Sequence, residues 1–322
     1  MRAVIRTEYG SADVLRLDEV ATPEPGPREV RVEVRAAGVD IGAWHIMTGL
    51  PTLARLAFGV GRPKNPRIGT ELAGVVDAVG ADVSAFRPGD AVFGVGQGAF
   101  ADYVIADPAK LARKPVGVSF EHAAASAVSG VTALQAVVRE GRLVAGQRVL
   151  VLGASGGVGS FVVQLAKSRG AQVTGVASTP KLDFVRSLGA DEVLDYTTTN
   201  PTDGSVRYDL IVDMGGNRPL RKLRRALAPA GTIVIVGGEG GGRVLGGVQR
   251  GMGAGIASAF SRRRFVGLMS STTTADLERV AELLAEGILA PPLDRVVPLT
   301  DAPAVLRDLE AGRIRGKAVL VP

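Results

Sequence analysis

The sequence predicts a mixed α/β protein in which a β-rich first part leads into a doubly wound parallel sheet. Three observations predict it. Residues 29–35 alternate strictly between charged and apolar side chains, Glu29-Val30-Arg31-Val32-Glu33-Val34-Arg35, which is the period of a half-buried strand. From residue 147 onward, apolar strands alternate with helical patterns of about ten residues, the mark of right-handed βαβ crossovers. Hydrophobic residues make up 46% and charged residues 22% of the 322 positions, a balance that buries cores and excludes a disordered polymer.

The elements follow in order. Residues 71–79 form a second strand, interrupted at Gly74, and the turn Pro88-Gly89-Asp90 leads 86–93 into a third. The Gly/Pro/basic stretch 51–66 is expected at the surface, as a loop or lid. Near Ser119 the texture changes. Residues 121–139 are rich in Ala and Val and read as a helix capped by Ser119, with Glu121 and His122 in its first turn. Strands are then expected at 147–152, 172–177, 192–195, 208–212 and 231–236, and helices at 158–169, 181–188 and 218–227. The glycine-rich stretch 237–255 reads as a flexible loop over a ligand site. A strand at 265–269, a helix at 274–286 capped by the Thr run, and a strand at 316–322 complete the chain, which shows no internal repeat.

Composition excludes several classes of chemistry. With no cysteine, the chain has no disulfide, iron–sulfur cluster, thiolate zinc site or cysteine nucleophile. The formal charge of +6 raises nucleic acid as a partner, but the bases are scattered. The densest run, Arg262-Arg263-Arg264, has no interleaved aromatic residues and reads as a solvated basic face. The first residues lack an apolar signal-peptide core and the apolar runs are short, so no membrane span and a cytoplasmic protein are expected.

Residues 148–159, Arg-Val-Leu-Val-Leu-Gly-Ala-Ser-Gly-Gly-Val-Gly, read as strand, tight turn and helix start. The dinucleotide fingerprint spacing falls on Ala154, Gly156 and Gly159, with Ala in the first glycine's place. Ala154, Ser155, Gly156, Gly157, Val158 and Gly159 are therefore candidate phosphate-binding residues, with the helix N-terminus facing a pyrophosphate. The next strand selects the cofactor. NAD enzymes place a carboxylate there for the ribose 2′-hydroxyl. The strand end 176–181 has none, and offers instead the hydroxyls of Ser178 and Thr179 and the cation of Lys181, which predicts NADPH.

With these pieces in view, the chain resembles the medium-chain dehydrogenase/reductases, in their zinc-independent, quinone oxidoreductase-like branch. The resemblance spans essentially the whole sequence. It is carried by Ala36-Ala37-Gly38-Val39-Asp40, Gly69-Thr70-Glu71-Leu72-Ala73-Gly74, the segment 86–94, Gly130-Val131-Thr132-Ala133-Leu134, the glycine loop, Ser187-Leu188-Gly189-Ala190-Asp191, the segment 208–213 and Gly316-Lys317-Ala318-Val319-Leu320. It implies a GroES-like β-rich catalytic domain at 1–122, a Rossmann NADPH-binding domain at 123–267, and a segment 268–322 returning to the catalytic domain. It places Thr132 near the nicotinamide, and Ser178, Lys181 and Tyr196 around the 2′-phosphate, joined by Arg313 or Arg315. Gly237 and Gly238 would meet the carboxamide or ribose. The strand 265–269 would pair across a two-fold axis in a homodimer.

The departures bear on mechanism. Zinc-dependent members carry Cys after the Ala-Gly-Val segment and His-Glu after the glycine, where this chain has Asp40 and Thr70-Glu71. Asp40, Glu71 and His45 could offer oxygen and nitrogen to a metal, but a zinc-free site is the expectation. Asp40 and His45 remain as acid–base candidates, in a pocket also lined by Trp44, Met47 and the loops 51–64 and 237–255. The expected reaction is NADPH-dependent hydride transfer to a quinone or α,β-unsaturated carbonyl. Two alternatives stand beside it: a zinc-free NADP-dependent alcohol dehydrogenase, and an NADPH-binding sensor or structural protein without significant turnover.

Overall fold

A computed structural model describes residues 1–216, 218–237, 242, 244 and 263–322. The chain divides into two compact units, Met1–Val131 with Thr272–Pro322, and Thr132–Ser271. The first unit carries strands β1 (Arg2–Ile5), β2 (Arg16–Glu19), β3 (Val30–Val39), β4 (Glu71–Val79), β5 (Ala91–Val95), β6 (Tyr103–Ala106) and β7 (Leu111–Arg113). The second carries β8 (Arg148–Leu152), β9 (Gln172–Ala177), β10 (Glu192–Asp195), β11 (Tyr208–Asp213), β12 (Leu227–Ile235) and β13 (Arg264–Gly267). The first unit then resumes with β14 (Leu293–Pro298) and β15 (Lys317–Val321).

β3 is the spine of the first unit. Val30, Val32 and Val34 point into the core, while Arg31 on the other face bridges Glu24 and Asp77. One edge of β3 pairs with β4; the other is shared, by β6 along its first half and by β15 along Ala37–Val39. That shared edge brings the two ends of the chain into one sheet. The strand's second half, Ala36-Ala37-Gly38-Val39, is buried throughout, and the helix Phe120–Ser126 packs on it and on β4. This packing carries the first unit to Val131, past residue 122 where the sequence suggested a boundary.

The second unit is a parallel sheet in the order β10-β9-β8-β11-β12-β13. The chain steps outward from β8 to β10, returns to β11, and steps outward on the other side. The reversal between β8 and β11 is the switch point at whose carboxyl edge such sheets hold ligands. The helices Gly157–Ser168, Leu182–Ser187 and Leu220–Ala226 connect the strands.

Several boundaries differ from expectation. The helix expected over 218–227 begins only at Leu220, with Pro219 as its N-cap, and Leu227 opens β12. The edge strand stops at Gly267, although the Leu268 amide still donates to the Ile235 carbonyl. The stretch 51–66 contains a 3₁₀ turn at Thr52–Ala54 and a short helix at Arg55–Phe58. Most of the 237–255 loop, Gly238 included, and Arg262 lie outside the described residues. Among the described residues, no helix is long and apolar enough to cross a membrane.

Candidate functional site

Candidate site residues occur in each unit. In the second, β8 ends at Leu152 and the chain turns at Gly153, whose φ of +81° favours glycine. The Ala154 amide donates to the Val176 carbonyl and the Gly156 amide to the Gly153 carbonyl, fixing the turn. A Cβ on Gly159 would overlap the Gly153 carbonyl oxygen, so only glycine lets the helix start this close to the strand. Gly156 is the N-cap, and no side chain caps the helix. The first-turn amides of Gly157, Val158 and Gly159 are therefore the donors that a helix leaves without intrahelical partners, at the positive end of its dipole. Gly156, Gly157 and Val158 are half-exposed there, and Ala154 and Ser155 are buried beneath. A pyrophosphate fits this cradle.

Beyond β9, Ser178 stands at the N-cap position of the 3₁₀ turn Thr179–Lys181, with no capping bond from its side chain. Thr179, Lys181 and the exposed Tyr196 lie at the ends of β9 and β10, which stop level because Ala177 and Asp195 are register partners. Sequence reasoning missed Asp195. Its Oδ2 accepts the Thr179 hydroxyl at 2.5 Å, and Oδ1 accepts the Thr197 amide and hydroxyl at 2.8 and 2.7 Å. The strand end 176–181 indeed holds no carboxylate, but the neighbouring strand brings one to it. Its position beside Tyr196 was the available signal.

The remaining cofactor candidates scatter over both units. Thr132 is buried and donates to the Ser270 hydroxyl at 2.9 Å. Gly237 follows β12 so closely against β11 that a Cβ would overlap the Met214 carbonyl. In the first unit Arg313 pairs with Asp308 at 2.5 Å and Arg315 with Asp294 at 3.5 Å, and Arg295 links both carboxylates. These two arginines are therefore already engaged, sharing two carboxylates with Arg295. Of the basic run, Arg263 donates to the carbonyls of Leu227 and Ala228, and Arg264 pairs with Glu140.

In the first unit, Asp40 is the N-cap of the helix Ile41–Thr48, its Oδ1 accepting the Ala43 amide at 2.9 Å. His45, on that helix, has Nδ1 at 2.6 Å from the Leu50 carbonyl. A carbonyl only accepts, so Nδ1 carries the proton and a neutral ring presents a lone pair at Nε2. Met47 is fully buried in the core, and Trp44 packs against it. The decisive residue is Glu71. It is wholly buried, and its Oε2 lies 2.5 Å from the Nζ of Lys317, itself buried. Its Oε1 accepts the amides of Val128 and Ser129 at 3.0 and 3.3 Å. Those bonds interrupt the helix expected over 121–139. It breaks into Phe120–Ser126, Ser129–Leu134 and a π-turn at Gln135–Glu140, with the carboxylate at the start of the second piece. A Cβ on Gly38 would overlap Glu71 Oε2, so glycine in β3 is what lets the carboxylate reach across to β15.

Most of these donor atoms are already engaged. Both Glu71 oxygens are committed to nitrogen donors, His45 uses Nδ1 on a carbonyl, and Asp40 caps a helix. Among the described residues, no three His, Cys, Asp or Glu side chains converge.

A parallel sheet with a glycine turn at its switch point, in a chain whose β-rich unit is built from segments before and after it, is the architecture of the medium-chain dehydrogenases and reductases. The chain matches the alcohol dehydrogenase GroES-like domain over residues 26–116 and a zinc-binding dehydrogenase domain over 188–320. It is 31% identical to the quinone oxidoreductase of Pseudomonas aeruginosa over 327 residues, covering 98% of this chain and 97% of that one. The solved structure of the Coxiella burnetii quinone oxidoreductase superposes with a TM-score of 0.87 at 27% identity, covering 100% of this chain and 99% of that one. An NAD-dependent alcohol dehydrogenase superposes at 0.82 with 31% identity over the whole of both chains. The chain belongs to the medium-chain dehydrogenase/reductases, in their quinone oxidoreductase-like branch, and is an oxidoreductase.

Removing one member of a buried ion pair strands the other, at about 3 to 5 kcal/mol. Lys317→Met is expected to lower the unfolding free energy by about that amount at about pH 8, in urea denaturation followed by circular dichroism. Loss of less than about 1 kcal/mol would refute the pairing.

Burial pushes the Glu71 carboxyl from its ordinary 4.5 up to about 7, Asp40 adding to the rise and Lys317 opposing it. An acid raised in this way binds its proton more tightly when folded. Its contribution to stability is full below about pH 4.5 and is lost as the pH rises through about 7. The difference in stability between wild type and Glu71→Gln is expected to change over that window. A pH-independent difference would contradict the shifted titration.

Proposed function

We propose that this chain is a zinc-independent, NADPH-dependent oxidoreductase that passes hydride to a quinone or an α,β-unsaturated carbonyl. The observation that carries the reading is the commitment of Glu71. Where zinc-dependent members of the family hold Cys and His-Glu, this chain holds Asp40 and Thr70-Glu71, and Glu71 is a buried carboxylate already paired to Lys317 and to two amides. With no donor set for a Lewis acid to polarise an isolated carbonyl, a conjugated acceptor suits the site, because its own π-system spreads the developing charge. Relatives named quinone oxidoreductases support that acceptor class.

The chain's own part divides between the units. In the second, the amides at 157–159 bind the pyrophosphate, and Lys181 with Ser178 and Tyr196 receives the 2′-phosphate beside Thr179. When bound, the dinucleotide supplies the hydride. In the first, Asp40 and His45 are the proposed acid–base groups; His45 Nε2 can take and return a proton while Nδ1 stays on the Leu50 carbonyl. Similarity to an NAD-dependent alcohol dehydrogenase favours a second reading, a zinc-free alcohol dehydrogenase, which alcohol-driven NADP⁺ reduction would identify. β13 ends its sheet with an edge that has no strand partner among the described residues, and two such edges pairing would make a homodimer.

Lys181→Glu is expected to weaken NADPH binding by at least about tenfold in calorimetric titration, since it replaces an attractive charge by a repulsive one. Unchanged affinity would remove Lys181 from the 2′-phosphate site. Steady NADPH oxidation is expected with 1,2-naphthoquinone or a simple enone. Tight NADPH binding with turnover of neither would favour a sensor or structural protein. Light scattering is expected to give twice the chain mass, and a monomer would sink the dimer.

A further inference from the structure

The edge of the second unit where β9 and β10 end sets an anion, Asp195, on the hydroxyl of Thr179, two residues before Lys181. Asp195 is half-buried there, with Thr179 on Oδ2 and Thr197 on Oδ1. These hydrogen bonds, that of Thr179 foremost, hold the Asp195 carboxyl below the usual carboxylate range. It is therefore charged at neutral pH.

A threonine hydroxyl has one proton and two lone pairs. Thr179 donates its proton to Asp195, because a carboxylate only accepts. What Thr179 then presents to a ligand is an acceptor. A ribose 2′-hydroxyl can donate to that oxygen or to Asp195 itself. A 2′-phosphate has no proton to give at neutral pH and brings a second negative charge to a carboxylate. At separations of about 6 Å near a protein surface such a like charge weakens binding by roughly tenfold, which offsets much of what a single lysine contributes. Thr179 thus does not supply the phosphate donor that its sequence position suggested.

We infer that Asp195 is a specificity-determining residue of the dinucleotide site: through its charge and through its hold on the Thr179 proton, it brings the affinities for NADH and NADPH to within about tenfold of each other. The inference rests on the reading of loop 153–159 as a dinucleotide cradle. It sharpens the cofactor assignment, since Lys181 sets the direction of the preference and Asp195 sets its size.

Calorimetric titration of the full-length protein with NADPH and with NADH tests it. Wild type is expected to bind the two with affinities within about tenfold. In Asp195→Asn the NADPH to NADH affinity ratio is expected to rise by about tenfold, because the charge is gone and Thr179 regains a proton to donate. The asparagine carbonyl oxygen keeps an acceptor for the Thr197 amide. Thr179→Val leaves the charge and removes the acceptor, so NADH binding is expected to weaken severalfold with NADPH no tighter. A wild-type preference for NADPH above about a hundredfold, or an unchanged ratio in Asp195→Asn with a wild-type circular dichroism spectrum, overturns the role of Asp195. Wild type binding neither dinucleotide would instead overturn the cradle itself.

Discussion

The first unit depends on one interaction, the ion pair between Glu71 and Lys317. The two residues are far apart in sequence and begin strands on opposite sides of β3. They meet only because Gly38 leaves the space between them clear. The pair ties the opening strands of the chain to its last one, and it does so where neither charge reaches water. A buried pair of this kind adds little net stability over a well-packed apolar pair. Its consequence lies in what it forbids: with β4 and the last strand joined at one carboxylate, neither partner can be replaced without leaving a charge stranded. The same carboxylate caps the helix that begins at Ser129.

The second unit rests on a different constraint, the close approach of a helix to a strand. Gly159 against the Gly153 carbonyl, and Gly175 against Val185 and Ala154, are places where a Cβ has no room. Close packing there brings the N-terminus of the helix Gly157–Ser168 to the sheet's switch point, where first-turn amides have no intrahelical acceptor. The cradle is therefore a result of packing as much as of hydrogen bonding. Its donors are also local: the amides of 157–159 lie within one strand–turn–helix unit, which β9 holds in place through the Val176 carbonyl.

Locality explains what could be read in the sequence. The alternation at 29–35, the parallel strands and the glycine loop are all written in short windows, and each appears in the structure. The Ser119 cap is likewise present, accepting the His122 amide. The helix expected over 121–139 failed as one piece because the residue that interrupts it is Glu71, outside any window around it. Asp195 escaped for the same reason. A search along β9 for a ribose carboxylate finds none, and pairing with β10 then brings one to the strand end. The motifs containing Gly38, Glu71 and Lys317 were each visible as points of resemblance. That the three meet at one carboxylate is a property of the sheet register, which composition and periodicity do not encode.

Both candidate sites are defined by which polar atoms are already committed. Glu71 has its oxygens on an ammonium and two amides, so both are engaged within the protein. Arg313 and Arg315 hold Asp308 and Asp294, so as they stand they offer a distant phosphate less than their charge suggests. Thr179 has given its proton to Asp195, which turns a nominal donor into an acceptor. Against these stand the first-turn amides of the Gly157–Ser168 helix, which no side chain caps. Residue identity alone would count an anion, three cations or hydroxyls and a glycine turn as equivalent evidence. The hydrogen bonds rank them. The turn remains open to an anionic ligand, while the groups around it are largely satisfied within the protein, and it is this ranking that makes the dinucleotide cradle the firmest part of the functional reading.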